Sequence, residues 1–303
     1  MSMSLDLSRP AGPPEEAGAS GAAGGPARPA RVLIVVPVAG DRLDGLEATV
    51  RSLQAQGEAR GEDPPDVVLV AAASAGSVRA LAQRCAATVV DDPGRGLAAA
   101  VNAGLHLAGP AHRYGAWLGA GECLLPGALR TTCAALDAAA DAVLAFGDCR
   151  YEAPDGEYLY TAHTRSRARQ LIAVGFRPPA QPAILYRLEA VTAAGGLDEQ
   201  LHWAMDLDLL LRLRAKGRFV ATGRTVAVVR RHGPAAPTSC GAAALGETRG
   251  VLARHLPGGL RPLTAAWPAP ARWVTRRPSW QVQRGAPWLA TRSDEPADPA
   301  PAS

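Results

Sequence analysis

Runs of apolar residues that suit buried strands alternate with helical patterns through the first half of the chain, and this alternation constrains the fold most. The β-branched runs at residues 30–40 and 65–74 have the length and composition of buried parallel strands. Between them, residues 43–53 place leucine and valine at helical spacing. A Gly-bounded helix follows at residues 97–107, and another strand pattern occupies residues 142–148. The pattern predicts a doubly wound α/β fold, with a mostly parallel sheet covered by helices on both faces.

Sheets of this type bind ligands at the carboxyl ends of their strands. The residues expected at that edge are the ones that follow each predicted strand. They are residues 37–40, 71–74, 91–95 and 119–122, and Asp148, where the strand pattern AVLAFGD ends.

The pattern changes after Asp148. A hairpin is predicted to turn at Asp155 and Gly156 in the segment CRYEAPDGEYLY. A helix over residues 165–174, the segment QPAILYR, two strands in RFVAT and TVAVVR, and a last helix ending near His255 are expected to follow.

Two carboxylates, Asp206 and Asp208, stand at the start of an apolar helix in the segment AMDLDLLLRL. Helix starts favour negative charge, because their N–H groups are unpaired and the helix dipole is positive there. Residues two apart on a helix point about 200° away from each other, so only one of the two is expected to face a pocket. Asp208 has Arg212 four residues on, which predicts a solvated surface ion pair. Asp206 fits either a helix cap or a catalytic carboxylate.

Composition divides the chain into three parts. Residues 1–30 are mostly Ala, Gly, Pro and Ser, so we expect a disordered tail that buries too little apolar surface to order itself. Residues 31–257 can form one folded domain. Residues 258–303 are rich in Trp, Arg and Pro and then become acidic.

Cysteine usage and charge exclude several classes of protein. The five cysteines are odd in number and form no CxxC pair, which argues against a disulfide framework and a zinc cluster and favours a reducing cytoplasm. The net charge of +4 is small and scattered, so no nucleic-acid partner is expected.

Two common nucleotide-binding motifs are absent, and a serine hydrolase motif is incomplete. The chain has no GxxxxGK[ST] loop, and no GxGxxG follows the first strand. The order Ser74, Asp206, His232 matches that of an α/β-hydrolase triad, but Ala72 stands where the strained nucleophile turn normally has glycine. A serine hydrolase is therefore a remote alternative.

Several long segments, in order, resemble the inverting family 2 glycosyltransferases of GT-A fold across about residues 31–239. These segments are VLIVVPVAG, DPGRGLAAAVNAGLHLAG, AWLGAGECLLPGAL, FGDCRYEAPDGEYL, QPAILYR, GGLDEQLHWAMDLDLLLRLRAKGRF and RRHGPAAPTS. The resemblance implies a GT-A domain with a C-terminal acceptor-side lobe, which moves a sugar from a nucleotide-sugar donor to a glycan or lipid-linked hydroxyl with inversion.

The resemblance also implies roles for single residues. Asp206 would be the general base, which needs a carboxylate already ionised near neutral pH. Donor contacts would come from Pro37, Ala39, Ser74, Arg95, Asn102 and Glu122. Acceptor-side contacts would come from Asp148, Gln181, Asp208 and His232.

The donor side departs from the family pattern. Alanine replaces the usual acids in residues 71–73 and at Ala99, and the loop at residues 119–122 keeps only the acid Glu122. Glu122, with His232, could hold Mg²⁺ or Mn²⁺ on the diphosphate, since one carboxylate suffices when waters and phosphate oxygens complete the coordination. The alternatives are a solvated loop acid at Glu122, an ordinary surface residue at Arg95 or His232, and structural amides at Asn102 and Gln181.

Loss of the donor-site acids leaves a second function open. The chain could be a non-catalytic relative that binds or scaffolds, because a fold alone does not decide activity.

The C-terminal tail carries tryptophans among arginines. Such residues suit a membrane interface, and a peripheral contact at the inner face of the membrane would fit a lipid-linked acceptor. Frequent proline argues equally for packing of these rings onto the domain. The tryptophans are Trp267, Trp273, Trp280 and Trp288.

Overall fold

The computed structural model describes residues 32–41, 43–58, 64–164, 172, 179–230 and 239–256. The strands of this part are β1 (Val32–Pro37), β2 (Asp66–Ala71), β3 (Thr88–Asp91), β4 (Tyr114–Trp117), β5 (Glu122–Leu124), β6 (Ala142–Glu152), β7 (Tyr158–Ala162), β8 (Ile184–Arg187) and β9 (Arg218–Arg230). The helices are α1 (Leu46–Glu58), α2 (Gly76–Arg84), α3 (Leu97–Leu105), α4 (Ala128–Asp137), α5 (Leu188–Ala193), α6 (Met205–Arg214) and α7 (Ser239–His255), with a 3₁₀ turn at Gln181–Ala183.

All these strands form one sheet in the order β3-β2-β1-β4-β8-β6-β9-β5, with β7 pairing the far end of β6. The first four are parallel, and β6 and β9 are also parallel to each other. Antiparallel pairs enter through β8, which lies between β4 and β6, and through β5 and β7. The predicted α/β fold with a mostly parallel sheet is confirmed.

The core has two layers because alternate residues of the central strands face opposite sides of the sheet. Leu33 and Val35 of β1 pack with α3, α5, α6 and α7, whereas Ile34 and Val36 pack with α1, α2 and α4. Helices therefore cover both faces, as the sequence predicts.

Two strand predictions in the second half were wrong. β6 does not end at Asp148 but continues to Glu152. Before Asp148 one edge of β6 pairs with β8, and after Asp148 it pairs with β7. The other edge of β6 pairs with β9 on both sides of Asp148. RFVAT and TVAVVR form the single strand β9, since an irregularity around Gly223, which has φ +66°, bends the strand without ending it. The three-residue strand β5 was not predicted. The hairpin at Asp155 and Gly156 is confirmed.

Some predictions lie outside the described residues. They are the two tails at residues 1–30 and 258–303 with their tryptophans, most of the helix at residues 165–174, and His232. Among the helices that are described, none is both long enough and apolar enough to span a bilayer.

Candidate functional site

The carboxyl ends of β1, β2, β3 and β4 meet at one edge of the sheet. Pro37 pairs with Val70, and Ala71 pairs with Asp91, so three strands end at nearly the same level. Trp117, the last residue of β4, pairs with Val35. The loops that follow these strands form the predicted edge.

Strand register also brings Asp148 to this edge. Gly115 of β4 and Leu144 of β6 both pair with Tyr186 of β8, so these two strands run in the same direction with the two residues level. Asp148 lies four residues after Leu144, as Gly119 lies four residues after Gly115. The acid is thus at the height of the loop that follows β4.

The Asp148 carboxylate fixes the end of β7. Its Oδ2 lies 2.7 Å from His163 Nδ1, and its Oδ1 accepts the N–H of Thr164 at 2.9 Å. The Asp148 side chain is largely buried, but the His163 ring is 70% exposed. Sequence reasoning missed His163 because nothing in its neighbourhood resembles a motif, and only pairing of β6 with β7 places it beside the acid.

Asp41, in the loop after β1, caps helix α2 across the edge. Its carboxylate oxygens accept the N–H groups of Ser77 at 3.1 Å and Val78 at 3.0 Å, whereas Ala75 at the N-cap position supplies no side-chain acceptor. The hydrogen bonds from Val78 and then Ser77 hold the pKa of Asp41 below its ordinary value. This acid therefore connects the loops that follow β1 and β2.

We expect the Asp41 cap to make stability depend on pH. Because folding depresses this pKa, the charge contributes its full stabilisation above the unfolded-state pKa of about 3.9, and loses it as pH falls through the lower folded-state value. Asp41→Ala should therefore lower the melting temperature at pH 7, with a difference from wild type that shrinks as pH falls below about 4. Thermal melts between pH 7 and pH 3 measure this. An equal difference at every pH would show that the charge of Asp41 contributes nothing.

A second connection joins the loop after β3 to the turn that precedes α6. Arg95 Nη1 lies 2.7 Å from Glu199 Oε2, and the same carboxylate accepts a hydrogen bond from Asn102 Nδ2 at 3.1 Å. The Asn102 amide also pairs with both the N–H and the C=O of Leu197 at 2.9 Å. A Cβ at Gly196, which has φ +70°, would come 2.9 Å from Asn102 Oδ1. Arg95 and Asn102 thus anchor this turn, and their donor contacts stay a prediction.

The loop at residues 119–122, where the resemblance predicts a metal ligand, is held by several hydrogen bonds. Glu122 Oε2 accepts the N–H of Gly119 at 2.7 Å, so the one remaining acid closes its own turn. The N–H of Gly121 donates to Thr49 Oγ1 at 3.0 Å, and a Cβ on Gly45 would come within 2.8 Å of the Gly121 backbone. A side chain larger than hydrogen therefore does not fit at Gly45 beside this backbone.

These residues fit a divalent metal poorly. Across the described ranges, no three His, Cys, Asp or Glu side chains are grouped as metal ligands. Glu122 is committed to its own loop, and His232, its predicted partner, lies outside those ranges.

Glu122 and Asp148, predicted separately from sequence, both lie near the thiol of Cys149 on β6. Burial raises the pKa of this thiol, and the two carboxylates add smaller increases, Glu122 more than Asp148. Glu122, predicted for the donor side, and Asp148, predicted for the acceptor side, therefore both influence one buried thiol.

Trp117 and Tyr186 form an aromatic floor between β4 and β8. Their rings stack with centroids 5.0 Å apart, and Gln181 Nε2 donates to the carbonyl of Trp117. Gln181 therefore holds the 3₁₀ turn to the end of β4. Burial, and to a lesser extent the charge of the Asp206 carboxylate, raise the pKa of Tyr186 well above its ordinary value.

Asp206 and Asp208 both lie in the first turn of α6, and both are buried, at 7% and 3% exposure. Asp206 Oδ1 accepts the N–H of Leu207 at 2.8 Å. The prediction that Asp208 forms a solvated ion pair was wrong. Arg212 Nε lies 2.7 Å from its Oδ2, and His255 Nε2 of α7 lies 3.0 Å from its Oδ1. The sequence spacing identified Arg212 but could not show that α7 covers the pair.

The remaining predicted residues are at the edge without a tested role. Pro37 ends β1, Ala39 is half-buried in the following loop, and Ser74 is exposed in the turn between β2 and α2. Among described residues no histidine bonds to Ser74, and His232, the third member of the hydrolase triad, is not described. The serine hydrolase alternative gains no support.

An α/β sheet of this order, with its loops gathered at one edge, is a GT-A-like fold, and solved structures share it. TarS 1-349 of S. aureus in complex with UDP-GlcNAc is 13% identical with a TM-score of 0.56, over 74% of this chain and 66% of that one. The mannosyltransferase PcManGT of Pyrobaculum calidifontis, in complex with GDP-Man and Mn²⁺, is 17% identical with a TM-score of 0.56, over 86% of this chain and 74% of that one. The chain covers 65% of the length of TarS 1-349 in its crystal structure without a named ligand.

Similarity at this level of identity shows a common fold. No protein-family model matches the chain, and no curated protein matches it.

Proposed function

We propose that the chain is a glycosyltransferase that moves a sugar from a nucleotide-sugar donor to a hydroxyl group of a glycan or lipid-linked acceptor, with inversion. The observation that carries this proposal is the position of Asp206, a carboxylate buried in the first turn of α6 and bonded there to the N–H of Leu207. Two proteins of the same fold were solved with UDP-GlcNAc and GDP-Man, which supports a nucleotide-sugar donor.

The proposed reaction is a single displacement. The acceptor oxygen forms a bond to the anomeric carbon while the bond from that carbon to the diphosphate oxygen breaks. Asp206 takes the proton from the acceptor hydroxyl, and the nucleoside diphosphate leaves with the bonding electron pair. Attack from the face opposite the leaving group inverts the anomeric centre.

The leaving diphosphate needs positive charge. The residues present fit a Mg²⁺ or Mn²⁺ ion in this role poorly, since Glu122 is its one predicted carboxylate ligand among the described residues. Glu122 already accepts the N–H of Gly119, so this carboxylate would have to serve the loop and the ion together. Arg95 is a protein cation at the same edge, and an exposed ion pair such as Arg95–Glu199 costs little to rearrange toward a phosphate.

We expect a thermal-shift screen to identify the donor. UDP, GDP, UDP-GlcNAc and GDP-Man would be tested, each with and without Mn²⁺, with uridine and guanosine as controls that lack phosphate. A ligand at 100 times its Kd stabilises by about 2.7 kcal/mol, which is about 5–10 °C in melting temperature for a domain of this size. A shift that depends on both the diphosphate and Mn²⁺ would support a metal at Glu122. A shift without Mn²⁺ would favour Arg95.

The second candidate is a binding or scaffolding protein with the same fold. The loop at residues 119–122 favours it, because Glu122 is its one acid and this carboxylate already accepts the N–H of Gly119. If no nucleotide shifts the melting temperature under any condition, the transferase proposal fails and this second candidate stands.

A further inference from the structure

Helix α6, which carries Asp206, begins without a local cap. Its N-cap residue is Ala204, which has no side-chain acceptor for the N–H groups that every helix start leaves unpaired. Glu247 of α7 instead accepts hydrogen bonds from the backbone immediately before the helix. A single oxygen, Glu247 Oε1, accepts the N–H of Trp203 at 2.8 Å and the N–H of Ala204 at 2.9 Å.

Other residues of α7 reinforce this contact. Val251 and His255 follow Glu247 at intervals of four, so all three lie on one side of the helix. Val251 is fully buried, and His255 reaches Asp208 at 3.0 Å. Helix α7 therefore bonds the backbone two and three residues before Asp206 and the side chain two residues after it.

We propose that Glu247 is a positioning residue that sets the place of the Asp206 carboxylate, and this inference rests on the transferase proposed above. Glu247 fixes the backbone two and three residues before Asp206. Asp206 Oδ1 is in turn bonded to the N–H of Leu207, so the carboxylate follows the backbone of this turn. Proton transfer requires the base within hydrogen-bond reach of the acceptor hydroxyl, and a misplacement of about 1 Å can cost about 10²-fold in rate.

The test compares Glu247→Ala with Glu247→Gln. The Ala variant leaves both N–H groups without an acceptor, so the amides of Trp203 and Ala204 should exchange with solvent deuterium at least tenfold faster. With the donor identified by the thermal screen, its kcat should fall at least tenfold while the KM for donor stays within about twofold. The Gln variant keeps a carbonyl oxygen for both N–H groups. Its amide exchange and its kcat should both lie close to the wild-type values.

Arg254→Ala is the matched control. Arg254 is on the same helix and is exposed, and it bonds the half-buried Asp198 at 3.1 Å, so its loss removes a contact of α7 without touching the start of α6. In this variant the amides of Trp203 and Ala204 should exchange at the wild-type rate, and kcat should match that of wild type.

Wild-type exchange at Trp203 and Ala204 in Glu247→Ala, or wild-type kcat in the folded variant, would overturn the inference. Equal increases in amide exchange and equal losses of kcat in Glu247→Ala and Arg254→Ala would also overturn it, because they would show that α7 is destabilised as a whole. Asp206→Asn separates the two proposals. If Asp206→Asn is inactive and Glu247→Ala is fully active, only the role of Glu247 fails, whereas full activity in Asp206→Asn removes the base itself.

Discussion

Asp206→Asn is expected to slow sugar transfer about 10³-fold while leaving donor binding unchanged, because a general base contributes about 10²–10⁴-fold and the amide of asparagine cannot accept the acceptor proton. Asparagine has the size of aspartate and keeps an oxygen for the N–H of Leu207, so the first turn of α6 should stay in place. The initial rate of nucleoside diphosphate release, with the donor identified by thermal shift, measures the loss.

The matched control for this substitution is Asp198→Asn. Asp198 lies in the turn before α6, and its substitution removes the same charge, but its carboxylate bonds Arg254 and the N–H of Gln200. Its turnover should stay within about threefold of wild type. Full activity in Asp206→Asn would exclude Asp206 as the base and direct attention to the other acids of the edge, Asp148 first.

The binding alternative gives a different pattern in the same experiment. If wild type binds a nucleotide sugar but turns it over no faster than Asp206→Asn, the fold has kept its ligand and lost its chemistry. The place of Asp206 would then be explained by its contact with Leu207 alone, which is the helix-start role that the sequence left open.

The first half of the fold could be predicted from sequence because each of its parts has a local signal. The strands β1 and β2 are short apolar runs with β-branched residues, and α3 is bounded by glycine at Gly96, which has φ +100°. Parallel strands that alternate with helices leave few ways to arrange a sheet. The edge that carries the candidate site followed from that arrangement alone.

The second half was harder because its strands depend on distant partners. Asp148 lies where the pairing partner of β6 changes from β8 to β7, and no local residue pattern marks that change. β9 continues through Gly223, where turn chemistry alone predicts a break. In both cases tertiary pairing overrides the local signal.

The contacts around the candidate site show the same limit. Two helix starts are bonded by acids from other elements, α2 by Asp41 and the residues just before α6 by Glu247. A sequence window reveals a cap only when it is adjacent to the helix it serves. The burial of Asp208 was missed for the same reason, since its second partner, His255, comes from α7.

Asp208→Ala is expected to lower the free energy of unfolding by about 3 kcal/mol, because it leaves the partners of a buried ion pair without their counter-charge. The estimate is at the low end for such pairs, since Arg212 and His255 each keep about a quarter of their side chains exposed. The loss corresponds to a fall in melting temperature of about 6–12 °C for a domain of this size. Urea unfolding at neutral pH measures it.

The matched control for this prediction is Asp141→Ala, which removes a carboxylate that also pairs with an arginine. Asp141 bonds Arg218 through both of its oxygens, but both side chains are about 60% exposed, so water replaces the lost contact at little cost. Its melting temperature should stay close to wild type. Both carboxylates bond an arginine and have both oxygens engaged, but they differ in access to water, so burial should decide the contrast. If the two variants unfold alike, Asp208 is not the residue that joins α6 to α7, and the fixed position of Asp206 must then depend on Glu247 alone.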